Sequence, residues 1–198
     1  MRIIAGSAKG RSLKAPSRDS SIRPILGRIK QSLFDSIRPK IMGSHFLDLY
    51  AGAGTVGLEA ASRGASFVVF VENGREGLKL IAANVEKLGF KEKTLIYKAD
   101  VLGNALLMLP ARLPAEFLFD LVFVAPPYMG EDRRGEVLVM SVPTLERLAE
   151  SKLLAPDAWV ILQHHKKESW GVVPKQFQVF KQAQFGESML TYLKSVSL

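Results

Sequence analysis

Apolar and polar positions follow two alternating rhythms along the chain. Phe46-Leu47-Asp48-Leu49, Phe67 to Glu72, Thr94 to Asp100, Phe119 to Val124 and Ala158 to Leu162 are short, nearly continuous apolar runs. Runs that lack internal alternation are the pattern of strands buried on both faces. Between them, apolar residues recur at helical spacing. Leu26, Ile29, Leu33, Phe34 and Ile37 predict a helix from Leu26 to about Ser36 that stops before Pro39. Val56 to Arg63 reads as an amphipathic helix, and Leu78, Ile81, Ala82, Val85 and Leu88 as one closed by Gly89. A further helix contains Leu102 to Leu109, and Val137 to Leu154 is mainly helical with a break near Pro143.

True alternation appears only at the two ends. Residues 1–16 predict a small β-hairpin around Gly6 and Gly10, and Gln178 to Gln182 with Met189 to Leu193 predict a closing hairpin. Arg18 to Pro24 is loop. Strands alternating with helices imply one α/β domain over residues 1–198, built on an open and mostly parallel sheet.

In such sheets, ligands bind beyond the carboxyl ends of the strands. Asp48, Glu72, Asp100 and Ala125-Pro126-Pro127-Tyr128 fall at the ends of four successive runs. Gly52-Ala53-Gly54-Thr55-Val56-Gly57 follows the first of them, where glycines let backbone approach a ligand that a Cβ would repel. The helix start beyond offers unpaired N–H groups. Asp48, Tyr50, Ala51, Gly52 and Gly54, with Glu72 and Asn73 after the second strand and Asp100 and Val101 after the third, therefore form a candidate cofactor cradle.

Read alone, G-x-G-x-x-G with an acid at Glu72 suits a dinucleotide. Asp48 argues against that, because a carboxylate just before the glycine turn repels a pyrophosphate and attracts the ammonium of S-adenosylmethionine. Asp100 suits the exocyclic amine of an adenine. After the fourth run, Pro126 and Pro127 end the ladder in a rigid loop, and Tyr128 offers an aromatic face for a planar base. The carbonyl of Pro126 can accept a hydrogen bond from an exocyclic amine.

Composition narrows the partners. Lysine and arginine outnumber aspartate and glutamate by 27 to 19, for a formal net charge of +8. Up to Lys40 the acids are Asp19 and Asp35 alone, against a series of basic residues that includes Arg2, Lys9, Arg11, Arg23 and Arg28. A basic terminal segment of this kind, residues 1–40, favours a polyanion such as RNA. For Arg28 and Lys30, a solvated helix face and an RNA contact are equally open. The chain has no cysteine, which excludes disulfides, thiolate metal sites and thiol nucleophiles and fits a cytoplasmic setting. His45, His164 and His165 lack metal-site neighbours, so no metal is expected. No apolar run is long enough to span a bilayer.

Asp48 to Gly57, Glu72, Asp100 and Pro126-Pro127-Tyr128 resemble the amino-group methyltransferases with an Asp/Asn/Ser-Pro-Pro-Tyr/Phe motif. Arg2-Ile3-Ile4-Ala5-Gly6, Lys9-Gly10-Arg11, Arg23-Pro24, Ser32-Leu33-Phe34 and Phe185-Gly186 with Leu190 further resemble the bacterial 16S ribosomal RNA guanine-N2 methyltransferases. The resemblance implies a Rossmann-like sheet of seven strands with a C-terminal antiparallel hairpin. It also implies S-adenosylmethionine as donor and a guanine of 16S rRNA as acceptor, within a 30S subunit or assembly intermediate; a monomer is the default expectation. Catalytic roles fall by this resemblance on Ala125, Pro126, Pro127 and Tyr128. The chain departs from the pattern at Ala125, where the family carries Asp or Asn, and at Ile25-Leu26-Gly27 and Gln31. Loss of one acceptor costs about 1–3 kcal/mol. That is a rate reduced roughly ten- to a few-hundredfold, and it leaves open a second identity, a methyltransferase fold that only binds RNA.

Overall fold

A computed structural model describes residues 1–127, 140–168 and 172–196, which form two compact units, Met1–Asp100 and Val101–Leu198. In the first unit, strands β1 (His45–Leu49), β2 (Phe67–Glu72) and β3 (Thr94–Lys98) pair in parallel in the order β3-β2-β1. Helix α3 (Thr55–Ser62) connects β1 to β2, and α4 (Arg75–Leu88) connects β2 to β3. Phe46 to Leu49 and Val68 to Val71 are buried without interruption, as strands covered on both faces must be. Gly89 takes the left-handed conformation (φ +73°) that ends α4.

The second unit holds α5 (Ala105–Met108), β4 (Phe119–Val124), α6 (Ser141–Ser151), β5 (Leu154–His165), β6 (Phe177–Phe185) and β7 (Ser188–Ser195). β4 and β5 are parallel, β7 runs antiparallel to both β5 and β6, and the strand order is β4-β5-β7-β6. The seven strands are thus mostly parallel with a C-terminal antiparallel hairpin, the sheet of a Rossmann-like methyltransferase.

Several local expectations change. Helix α3 is buried at every position and is not amphipathic, because it packs against β1 and β2 on one side and is covered by the N-terminal segment on the other. Residues 1–16 form a short hairpin: the antiparallel bridge Arg2–Ser12 is flanked by hydrogen bonds from the Ile3 N–H to the Arg11 carbonyl and from the Leu13 N–H to the Met1 carbonyl, both at 3.0 Å, with Gly6 and Gly10 at φ +84° and +82° in the turn. Pro39 opens a short helix, α2 (Arg38–Ile41), where its missing N–H costs nothing. The helix expected over Leu102 to Leu109 contracts to Ala105–Met108 followed by a 3₁₀ turn at Pro110. Pro143 lies in the first turn of α6 and breaks nothing. β5 is longer than expected because Leu154 to Pro156 extend it through a register shift against β4. Tyr128, and the stretch before Met140 that was expected to be helical, lie outside the described residues.

Candidate active site

The chain emerges from β1 into Tyr50, whose φ of +57° is left-handed. A bulky residue in that region is strained, and such strain persists only where the surroundings over-determine it. Gly52 and Gly54 follow at +55° and +73°. Gly54 is the N-cap of α3, so Tyr50 to Gly54 is a tight turn aimed at a helix start. A Cβ at Gly77, on α4, would stand 2.7 Å from the Gly52 carbonyl oxygen and 2.9 Å from Glu72 Cγ. The absent side chain there is what lets α4 close against the turn.

Glu72, the last residue of β2, holds this geometry. Its Oε2 accepts the Gly52 N–H at 2.7 Å, and its Oε1 accepts those of Asn73 at 2.9 Å and Gly74 at 2.6 Å. A carboxylate offers about four acceptor directions. With three N–H groups placed on it, Glu72 keeps room for one hydroxyl donor. Asp48 is 2% exposed and accepts the Gly57 N–H of the first turn of α3 at 2.8 Å. Burial pushes its carboxyl up to about 8, against the Gly57 hydrogen bond and with a smaller push from the Glu72 charge. The third glycine of the pattern serves packing: a Cβ at Gly57 would meet Phe70 Cε1 at 2.3 Å.

The other expected site residues are distributed over the two units. Ala51 is half-buried in the turn, Asn73 is exposed after β2, and Asp100 is exposed two residues beyond the end of β3. Val101, the first residue of the second unit, is buried. Ala125, Pro126 and Pro127 follow β4 directly, half-buried, buried and exposed in turn.

Of the basic candidates, Arg2, Lys9, Arg11, Arg23 and Arg28 are exposed. Arg11 is not a simple surface charge. Its guanidinium donates to the carbonyls of Leu88, at 3.3 Å, and Lys87, at the C-terminal end of α4. Lys30, weighed as solvated or RNA-facing, is neither. It is buried, pairs with Glu59 at 2.9 Å and donates to the Arg2 carbonyl at 2.9 Å.

The residue that sequence reasoning missed is Glu59. Its two oxygens accept the N–H groups of Ile4 at 2.8 Å and Ala5 at 2.9 Å, and pair with Lys30 at 2.9 Å and Arg63 at 2.8 Å. The available signal was an acid alone inside Val56-Gly57-Leu58-Glu59-Ala60-Ala61, an otherwise apolar helix. The loop over the cradle was missed too. Glu76 at the start of α4 accepts the Ser17 N–H at 3.3 Å and the Ser20 hydroxyl at 2.7 Å, and a Cβ at Gly52 would meet Ile22 Cγ2 at 3.2 Å. Among the described residues no cluster of His, Asp and Glu could hold a metal ion, and no helix is long and apolar enough to cross a membrane.

A parallel sheet ending in a strained glycine turn and two carboxylates defines the class by its fold: a Rossmann-like methyltransferase. The chain belongs to the family described as conserved hypothetical protein 95, whose model matches residues 1–194. It is 32% identical over 167 residues to YlbH of Bacillus subtilis, covering 84% of each chain. It is 27% identical over 187 residues to ribosomal RNA small subunit methyltransferase D of Escherichia coli, covering 94% of this chain and 86% of that one. Among solved structures it superposes on a hypothetical protein of Thermus thermophilus with a TM-score of 0.73 and 31% identity, over 97% and 98% of the two chains.

Proposed function

We propose that the protein methylates the exocyclic N2 amine of a guanine in small-subunit ribosomal RNA, with S-adenosylmethionine as donor. The observation that carries this reading is the turn from Tyr50 to Gly54, left-handed at three positions, tied by Glu72 and closed upon by α4 at Gly77. Relatives named as small-subunit rRNA methyltransferases support the acceptor class.

The cradle's residues fit the donor. Asp48 offers negative charge to an ammonium once ionised, Glu72 retains an acceptor direction for a ribose hydroxyl, and Asp100 is an exposed carboxylate suited to an adenine amine. Gly52 and Gly54 supply the positive φ of the turn, and a Cβ at Gly54 would meet Ile81 Cγ1 at 3.0 Å and Phe70 Cε1 at 3.3 Å. S-adenosylmethionine supplies a methyl already activated on a sulfonium sulfur, so the protein's share of the work is binding, orientation and exclusion of water.

On the acceptor side, the nitrogen lone pair of a guanine amine is delocalised into the ring and must be turned toward the methyl. The Pro126 carbonyl draws one N–H for that purpose, and Tyr128 gives the extruded base a face to lie on. Ala125 contributes no acceptor. Arg2, Lys9, Arg23 and Arg28 are exposed cations suited to the RNA backbone. Ala125 also favours a second reading, an RNA-binding member of the fold with weakened chemistry.

The test is methyl incorporation from labelled S-adenosylmethionine into unmodified 30S particles, with wild type beside Ala125→Asp and calorimetric cofactor binding as control. Transfer to a guanine N2 is expected from both, faster in Ala125→Asp by about tenfold or more. Cofactor binding without transfer in either protein overturns the enzymatic reading and leaves the binding one.

A further inference from the structure

Among the described residues strand β6 is paired on one side only, by β7, and it carries Phe180 with 45% of its surface exposed. Edge strands are ordinarily blunted with charge, and a large apolar ring on one calls for a reason. The register against β7 shifts between Val179 and Lys181, so Phe180 is the extra residue of a bulge, a device that re-aims a side chain. Its ring stands 4.9 Å from that of the half-buried Trp159, inclined at 53°, and 6.1 Å from that of Tyr192. The neighbouring Lys181 places its ammonium 5.2 Å from the Tyr192 ring centroid. The aromatic cluster is therefore built on β5, β6 and β7, rigid strands rather than a loop.

An exposed ring backed by a second ring, with an ammonium beside it, matches an unpaired nucleobase and its phosphate. Charge selects the occupant. From Lys175 to Lys194 the chain has three lysines and one acid, Glu187; Lys166 pairs with that acid at 2.8 Å and Asp157 pairs with Lys194 at 2.7 Å, so the hairpin keeps a net positive charge from Lys175 and Lys181. A second copy would bring the same positive hairpin against itself, whereas a nucleic acid strand is attracted.

We propose that Phe180, supported by Trp159, is a stacking shelf for an unpaired base of the RNA substrate, with Lys181 taking an adjacent phosphate. This rests on the reading of RNA as acceptor and adds a contact surface on the C-terminal hairpin.

Trp170→Phe leaves Trp159 as the sole tryptophan and the reporter. Titration of that protein at low salt with a single-stranded oligoribonucleotide of about ten nucleotides should quench its emission, and Phe180→Ala in the same background should weaken binding about tenfold or more. Phe180→Tyr should retain it, and Lys181→Gln should reduce the salt slope by about 0.7. Matching melting curves for the Ala and Tyr variants establish that folding is intact. Unchanged affinity in Phe180→Ala overturns the shelf while RNA binding by the parent stands. A dimer of the parent that Phe180→Ala converts to monomer, with RNA affinity kept, overturns it in favour of an interface between copies. Absence of RNA binding by the parent overturns the RNA reading itself.

Discussion

Glu59 has no solvent-exposed surface and meets two cations and two backbone N–H groups from three separate stretches of chain. Burial raises its carboxyl, and the Ile4 N–H together with Arg63 and Lys30 more than offsets this, leaving it below the ordinary carboxylate value. Its contribution to stability is therefore present above the unfolded value and lost as pH falls through the lower folded one. Arg63 also lies over the Phe34 ring, 4.8 Å from its centroid, so the network is anchored to α1 (Gly27–Ser36) by packing as well as charge. Glu59→Gln leaves Lys30 and Arg63 buried without a counter-charge, and breaking a buried pair in this way costs about 3 kcal/mol. A melting temperature lowered by roughly 6–12 °C is expected in calorimetry, and an unchanged one removes Glu59 from this role.

Asp48 has the opposite sign. Its folded value of about 8 lies above the unfolded 3.8, so this group costs the protein stability progressively as pH rises between them. A cationic ligand prefers the ionised form. Cofactor affinity measured by calorimetry should rise toward pH 8, by at most about tenfold per unit for one proton. Asp48→Asn should flatten that profile, with the loss of affinity largest at the alkaline end where the wild-type carboxyl is ionised.

At the scale of elements, glycines decide how closely helices approach the sheet. Gly57→Ala puts a methyl 2.3 Å from the Phe70 ring and must lift α3 from β2, at a cost of about 1–3 kcal/mol. Because Asp48 accepts the N–H of the same residue, that variant should lose cofactor affinity as well as stability in urea unfolding. The N-terminal segment is held by helices as well as by its own short pairing. Ser7 and Ala8 bond to Ser62 on α3, while Lys14 exchanges hydrogen bonds of 2.7 and 3.1 Å with Asn84 on α4. The pattern of residues 1–16 suggested a hairpin because alternation records which side chains are buried. Ile3, Ala8 and Leu13 are indeed buried, and Ile3 and Leu13 also take part in the backbone pairing.

For the whole molecule, the +8 charge is the property most directly open to measurement. Affinity for a 16S fragment should fall with salt, and Lys9→Gln or Arg2→Gln should each lower the slope of log affinity against log salt by about 0.7–0.9. Arg11→Gln is a different case, because its side chain also satisfies the end of α4. It should lower melting temperature too, and a slope change without a stability change would show its cap to be dispensable.

What the sequence determined by itself was whatever depends on neighbours in the chain. β2 and β4 begin and end where the apolar runs do, the left-handed stop of α4 is at Gly89, and the glycine turn follows β1, because burial on both faces and positive φ leave local marks. Tertiary structure alone decided what those residues meet. Glu59 and Lys30 lie 29 positions apart and became partners only when α1 packed on α3. Gly77 mattered only once α4 reached the Gly52 carbonyl, and Phe180 became an exposed ring only through a bulge in the pairing of β6 with β7. Periodicity reports how much of a side chain is covered. The identity of the covering group is a long-range contact, and a single chain of residues carries no local signal for it.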